Sequence, residues 1–154
     1  MSYSVLVIFS CPKDQARLRL DREHRYLQKI IDLKDAQEKV RILQATTLND
    51  IIEAVSHADL RVIHFSGHGS SESIYIEKSA SSEKGEELDV NTLSAILQEH
   101  CPRLEALILS SCYSADGVNS LIQSASKIIA VEGEAGDEAA IEFSKQFYEH
   151  YLSG

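Results

Sequence analysis

Hydrophobic positions in this chain fall into short β-forming runs separated by longer amphipathic segments. Val5 to Phe9 is an apolar run bounded by Ser10-Cys11-Pro12, which predicts a buried strand. From Asp21 to Leu33, the residues Tyr26, Leu27, Ile30, Ile31 and Leu33 recur near helical spacing opposite a charged face, which predicts a helix. Val40 to Leu43 predicts a second strand. Thr47-Leu48-Asn49-Asp50 has the form of a capping box, and Ile51, Ile52 and Val55 follow it on one face. Arg61 to Phe65 predicts a third strand and Ile74 to Ile76 a small additional one. Residues 78 to 87 are polar and rich in Ser and Glu, which predicts an exposed, mobile loop. Asp89 is placed to cap a helix running to about His100. Ala106 to Leu109 predicts a fourth strand, Val118 to Ala125 a short helix and Ile128 to Val131 a fifth strand. A last helix starts near Asp137 and carries Ile141, Phe143, Phe147, Tyr148 and Tyr151.

Strands alternating with helices imply a mostly parallel α/β sheet with helices on both faces. There is no internal repeat and no linker, so residues 1–154 are expected to form a single domain. Right-handed crossovers give 2-1-3-4-5 as the simplest strand order. In that order the third and fourth strands are neighbours, about 4.8 Å apart. Both end in small residues with one reactive side chain: Gly67-His68-Gly69 after the third, Ser110-Ser111-Cys112 after the fourth. The topology therefore sets His68 and Cys112 side by side at the carboxyl edge, where open α/β sheets bind ligands.

A thiol becomes a nucleophile as the thiolate, and a neighbouring imidazole can take its proton. Cys112 also precedes a helix, whose amino end favours negative charge. The backbone N–H groups of Gly69 and Cys112 are candidate oxyanion donors, and glycine lets a substrate approach the backbone closely. Each residue has a plainer reading, since strand-end cysteines commonly pack in cores and His-Gly is a common turn pair.

The other reactive groups have structural explanations. Asp137 precedes Glu138-Ala139-Ala140 and reads as a helix N-cap rather than a third catalytic group. His64 lies on the third strand and reads as a satisfied core histidine. Cys11, on the same carboxyl edge, is either a regulatory thiol or a buried structural one, the second being commoner. His100 and Cys101 lack the spacing of a metal site. Gly67-His68-Gly69 is not a dinucleotide loop, because Glu72 stands where the third glycine belongs and no P-loop lysine follows. The aromatic residues of the last helix read as its buried face.

Composition narrows the function classes. A length of 154 residues, 44% hydrophobic and 25% charged, suits one soluble globular domain. The net charge of −9 argues against a nucleic-acid partner. No apolar stretch approaches the roughly 20 residues that span a bilayer, and no basic segment precedes the first apolar run as in a signal peptide. Three cysteines, Cys11, Cys101 and Cys112, lack the density of a disulfide scaffold, so reduced thiols in the cytoplasm are expected. No cofactor is expected.

Several stretches together resemble the CHAT peptidases of the caspase-like clan, alongside caspases, separases, gingipains and legumains. They are Phe65-Ser66-Gly67-His68-Gly69, the apolar strand into Cys112-Tyr113-Ser114, and Gly136-Asp137-Glu138-Ala139-Ala140-Ile141-Glu142-Phe143 with Phe147-Tyr148. Pro12 followed by Ala16-Arg17-Leu18-Arg19-Leu20-Asp21-Arg22-Glu23 is similar to the opening of many bacterial CHAT domains. The resemblance implies a caspase-like three-layer sandwich and a cysteine endopeptidase with His68 as base and Cys112 as nucleophile. It implies an oxyanion site near Gly69 and a substrate strand docking beside Glu132-Gly133-Glu134, whose acids would either favour a basic side chain or simply be solvated. A protein or peptide substrate, an activating partner and a prokaryotic signalling or defence setting complete the expectation. The alternatives are a catalytically silent interaction module of the same fold and, with least support, a nucleotide-binding sensor.

Overall fold

The computed structural model describes residues 3–11, 20–44, 46–70, 72–79, 84–111, 114–130 and 136–153. Five parallel strands form the central sheet: β1 (Val5–Ser10), β2 (Val40–Gln44), β3 (Val62–Gly67), β6 (Ala106–Ser110) and β7 (Lys127–Ala130). Their spatial order is β2-β1-β3-β6-β7, the expected 2-1-3-4-5 once two hairpin strands are counted separately. β1, β3 and β6 are buried along their whole length, as strands covered on both faces must be.

The covering helices follow from their sequence patterns. α1 (Leu20–Leu33) buries Leu27, Ile30 and Ile31 beside α5 (Asp137–Tyr151), against Val5, Val7, Val62 and Ile108 on one face of the sheet. Each such side chain, fully buried, contributes about 1.5–3 kcal/mol. α2 (Leu48–Ser56), α3 (Val90–His100) and the short α4 (Val118–Leu121) cover the other face, against Leu6, Ile8, Ile63, Phe65, Leu107 and Leu109. The two layers of helices around one sheet make the α/β sandwich.

Helix starts agree closely with the sequence. Thr47 and Asp50 form the capping box reciprocally, Asp50 N–H to Thr47 Oγ1 at 3.2 Å and Thr47 N–H to Asp50 Oδ2 at 2.9 Å. Asp89 caps α3 through the N–H of Asn91 at 2.7 Å. Two expectations are corrected. The helix expected over Val118 to Ala125 ends at Leu121 and is preceded by a 3₁₀ turn, Ser114–Gly117. Asp137 is the first helical residue of α5, and the extended Gly136 (φ −86°, ψ 143°) takes the cap position.

A third correction concerns the end of the polar segment 78–87, of which residues 80–83 lie outside the described residues. Gly85–Asp89 is a strand, β5, paired antiparallel with β4 (Ser73–Glu77) in a separate two-stranded sheet. Its acids hid it: Glu86, Glu87 and Asp89 are exposed, and only Leu88 turns into the core. Ile74 and Ile76 of β4 are buried with it, which fixes the hairpin against the main sheet just beyond β3.

Candidate active site

β3 ends in a tight spot. Gly67 stands opposite Ser10 of β1, and a β-carbon there would lie 2.1 Å from the Ser10 carbonyl oxygen. Only glycine fits. His68 follows immediately, half-exposed, with its carbonyl accepting the Tyr75 N–H at 2.9 Å. Gly69 then bridges to Ile74 of β4. Ser70 N–H donates to the Ser73 carbonyl at 2.8 Å, and the two hydroxyls lie 3.0 Å apart. The hairpin thus grips the segment that carries His68. The bonds flanking the bridge belong to His68 and Ser70, so Gly69 N–H takes no part in pairing with Ile74.

β6 runs beside β3 with Ser66 opposite Ser110. Ser111 comes next and is fully buried. Cys112, which follows it in sequence, lies outside the described residues, as do Glu132, Gly133 and Glu134. The far flank of the cysteine is anchored: Ser114 Oγ donates to the Leu109 carbonyl at 2.9 Å and Ser114 N–H to the Ser111 carbonyl at 3.3 Å. The two strand-end segments touch. A β-carbon on Gly69 would lie 2.7 Å from Ser111 Oγ and 2.8 Å from Ser111 Cβ. The glycine after His68 is therefore packed on the residue before Cys112.

The CHAT domain family model matches residues 4–154. The chain belongs to the CHAT domain family. That places it in the caspase-like clan of cysteine peptidases. Among curated proteins, none matches the sequence. The solved structure of a flavodoxin-like domain from Synechococcus is similar over 97% of this chain and 96% of its own, with a TM-score of 0.53 and 16% identity. At that identity the likeness shows the α/β fold alone.

Beneath its strand ends, this CHAT domain holds a buried polar network that the sequence did not announce. His64 is fully buried, as expected of a core histidine, with Nδ1 2.9 Å from Tyr148 Oη and Nε2 3.2 Å from Ser110 Oγ. Glu23 of α1, 2% exposed, accepts hydrogen bonds from Ser66 of β3 and Ser144 of α5, each at 2.5 Å. His64 Nε2 also lies 3.7 Å from Glu23 Oε2. Burial pushes the His64 pKa down to about 3, so this is a neutral ring beside a carboxyl group and not an ion pair. Burial likewise raises the Tyr148 pKa, with the nearby Glu23 adding to it, so the phenol keeps its proton. Glu23 stands in an i, i+4, i+7, i+8 series with Leu27, Ile30 and Ile31 on the buried face, a spacing that gives its side of the helix but not its partners.

The remaining thiols divide by environment. Cys101 closes α3, is buried, and has its pKa pushed up to about 11 by that burial, which makes it an inert thiol. Cys11 follows β1 and is half-exposed, contrary to a fully buried role. Ser10 Oγ and Ser111 Oγ are buried hydroxyls without a hydrogen-bond partner. Among the described residues, no three His, Cys, Asp or Glu side chains converge to hold a metal ion, and no helix is long and apolar enough to cross a membrane.

Proposed function

We propose that this CHAT domain is a cysteine endopeptidase in which His68 activates Cys112. The imidazole accepts the thiol proton as Sγ attacks the carbonyl carbon of the scissile peptide. The resulting oxyanion is held by the N–H groups of Gly69 and Cys112. Collapse breaks the C–N bond, and the departing amine takes the proton from the His68 imidazolium. Water, deprotonated by His68, then hydrolyses the thioester and restores the thiol.

The contact of Gly69 with Ser111 carries this reading, because it joins the segment bearing His68 to the segment bearing Cys112. The Gly69 N–H, left out of hairpin pairing, supports the oxyanion role. On this reading the substrate strand docks beside Glu132, Gly133 and Glu134, which follow β7 in sequence, with a protein or peptide substrate and a regulatory partner that switches cleavage on. A cytoplasmic, prokaryotic signalling or defence setting belongs to the same proposal.

Alkylation by iodoacetamide, followed residue by residue with mass spectrometry, tests it. At pH 7 Cys112 should label at least about tenfold faster than Cys101, and His68→Ala should remove that advantage. Cys112→Ala should abolish peptide cleavage under activating conditions and leave the fold intact. Labelling of Cys112 that is slow and indifferent to His68 would refute the dyad and favour a silent interaction module.

A further inference from the structure

The polar network lies at the carboxyl ends of β3 and β6, and its placement is selective. On the sheet face covered by α1 and α5, Val5, Val7, Phe9, Val62, Ala106 and Ile108 are apolar and buried. His64, Ser66 and Ser110 interrupt that face toward the carboxyl ends of β3 and β6. Ser66 precedes His68 by two positions, and Ser110 precedes Cys112 by two. A buried polar cluster gains little stability over well-packed apolar side chains, and in some proteins what it supplies instead is a single geometry.

The hydrogen bonds show which geometry is imposed. Register sets His64 opposite Ile108, so its bond to Ser110 runs diagonally between strands and opposes sliding of β6 along β3. The nearby carboxyl of Glu23 favours the Nε2–H tautomer, with Nε2–H donating to Ser110 and the Tyr148 hydroxyl donating to Nδ1. Glu23 then joins β3 to α5 through Ser66 and Ser144. Four elements are pinned together within two residues of both reactive positions.

We propose that Glu23, His64 and Ser110 are positioning residues, locking β3 against β6 so that His68 and Cys112 meet in attacking geometry. This rests on the peptidase reading above. Misplacement by about 1 Å is enough to reduce such a reaction by about a hundredfold.

The test measures the iodoacetamide rate at Cys112 from pH 5 to 9, with thermal melting, in the full chain and in Ser110→Ala, Ser110→Thr and His64→Phe. Ile31→Ala serves as a destabilised control remote from the strand ends. Ser110→Ala and His64→Phe should slow labelling at pH 7 by about tenfold or more and move the inflection toward an ordinary thiol, near pH 8.5. Ser110→Thr, which keeps the hydroxyl, should recover most of the rate, and Ile31→Ala should lower the melting temperature with an unchanged profile. If His64→Phe fails to fold, the serine pair decides. A wild-type profile in Ser110→Ala would overturn the proposal and leave the network a packing feature. A wild-type rate indifferent to His68→Ala would instead overturn the peptidase reading, and this proposal with it.

Discussion

Gly69→Ala probes the joint between the two strand ends, and its effect can be worked from the contacts. The new methyl would stand 2.7 Å from Ser111 Oγ, 2.8 Å from Ser111 Cβ and 3.1 Å from the Ser73 carbonyl oxygen. The first two fall ~0.7 Å or more short of ordinary carbon contact distances. Gly69 lies outside the left-handed backbone region, so the penalty is spatial and not conformational. Overpacking of this kind costs about 1–3 kcal/mol, offset by up to about 1 kcal/mol from the stiffer unfolded chain. The net loss of ~1–2 kcal/mol corresponds to about 2–8 °C in melting temperature for a chain of this size. Because the obstructing atoms belong to a side chain, they can be removed. Ser111→Ala alone should raise stability by about 1 kcal/mol, since it deletes a buried hydroxyl without a partner. In the Gly69→Ala background, Ser111→Ala should relieve part of the overlap and Ser111→Gly nearly all of it. A double-mutant cycle by chemical denaturation should therefore return a favourable coupling of ~1–2 kcal/mol for Gly69→Ala with Ser111→Gly. Strict additivity would refute the claim that these two residues touch.

Two further outcomes follow from other contacts. Gly67→Ala places its methyl against the Ser10 backbone carbonyl, which no side-chain change can clear, so a loss above about 4 kcal/mol and of soluble yield is expected. His64 is neutral in the fold, with its pKa lowered to about 3, and readily protonated when unfolded, near 6.5. Its contribution is thus complete above pH 6.5 and lost as pH falls toward 3, at up to about 1.4 kcal/mol per pH unit. His64→Gln should flatten the urea-midpoint profile between pH 6 and 4 relative to the parent, and parallel profiles would sink this assignment.

Much of the architecture was legible because the sheet is parallel and buried on both faces. Val5–Phe9, Arg61–Phe65 and Ala106–Leu109 are apolar runs with abrupt ends, and strand order followed from the alternation with helices. The caps at Thr47 and Asp89 were legible because capping is local chemistry. β5 was obscured because Glu86, Glu87 and Asp89 face solvent around one buried leucine, a pattern that composition reads as loop. Glu23, Ser66, Ser110 and Ser144 were obscured for another reason: single polar residues inside apolar series look like solvated faces or strand punctuation. Only partners far apart in sequence, 121 positions in the case of Glu23 and Ser144, reveal that they satisfy one another. The pairing of His68 with Cys112 was read from strand order, and the Gly69–Ser111 contact is its closest structural counterpart among the described residues.

The placement of β6 has a consequence for how the protein comes to life. β3 leaves the ribosome well before β6, with the hairpin and α3 between them, and a parallel strand pair is a slow, non-local contact to form. On the peptidase reading proposed above, cleavage has to wait until β6 docks beside β3, because only then are the strand ends leading to His68 and Cys112 set side by side. On that reading, completion of the sheet is the earliest moment at which the molecule could cut another protein, and folding itself would act as the first safeguard.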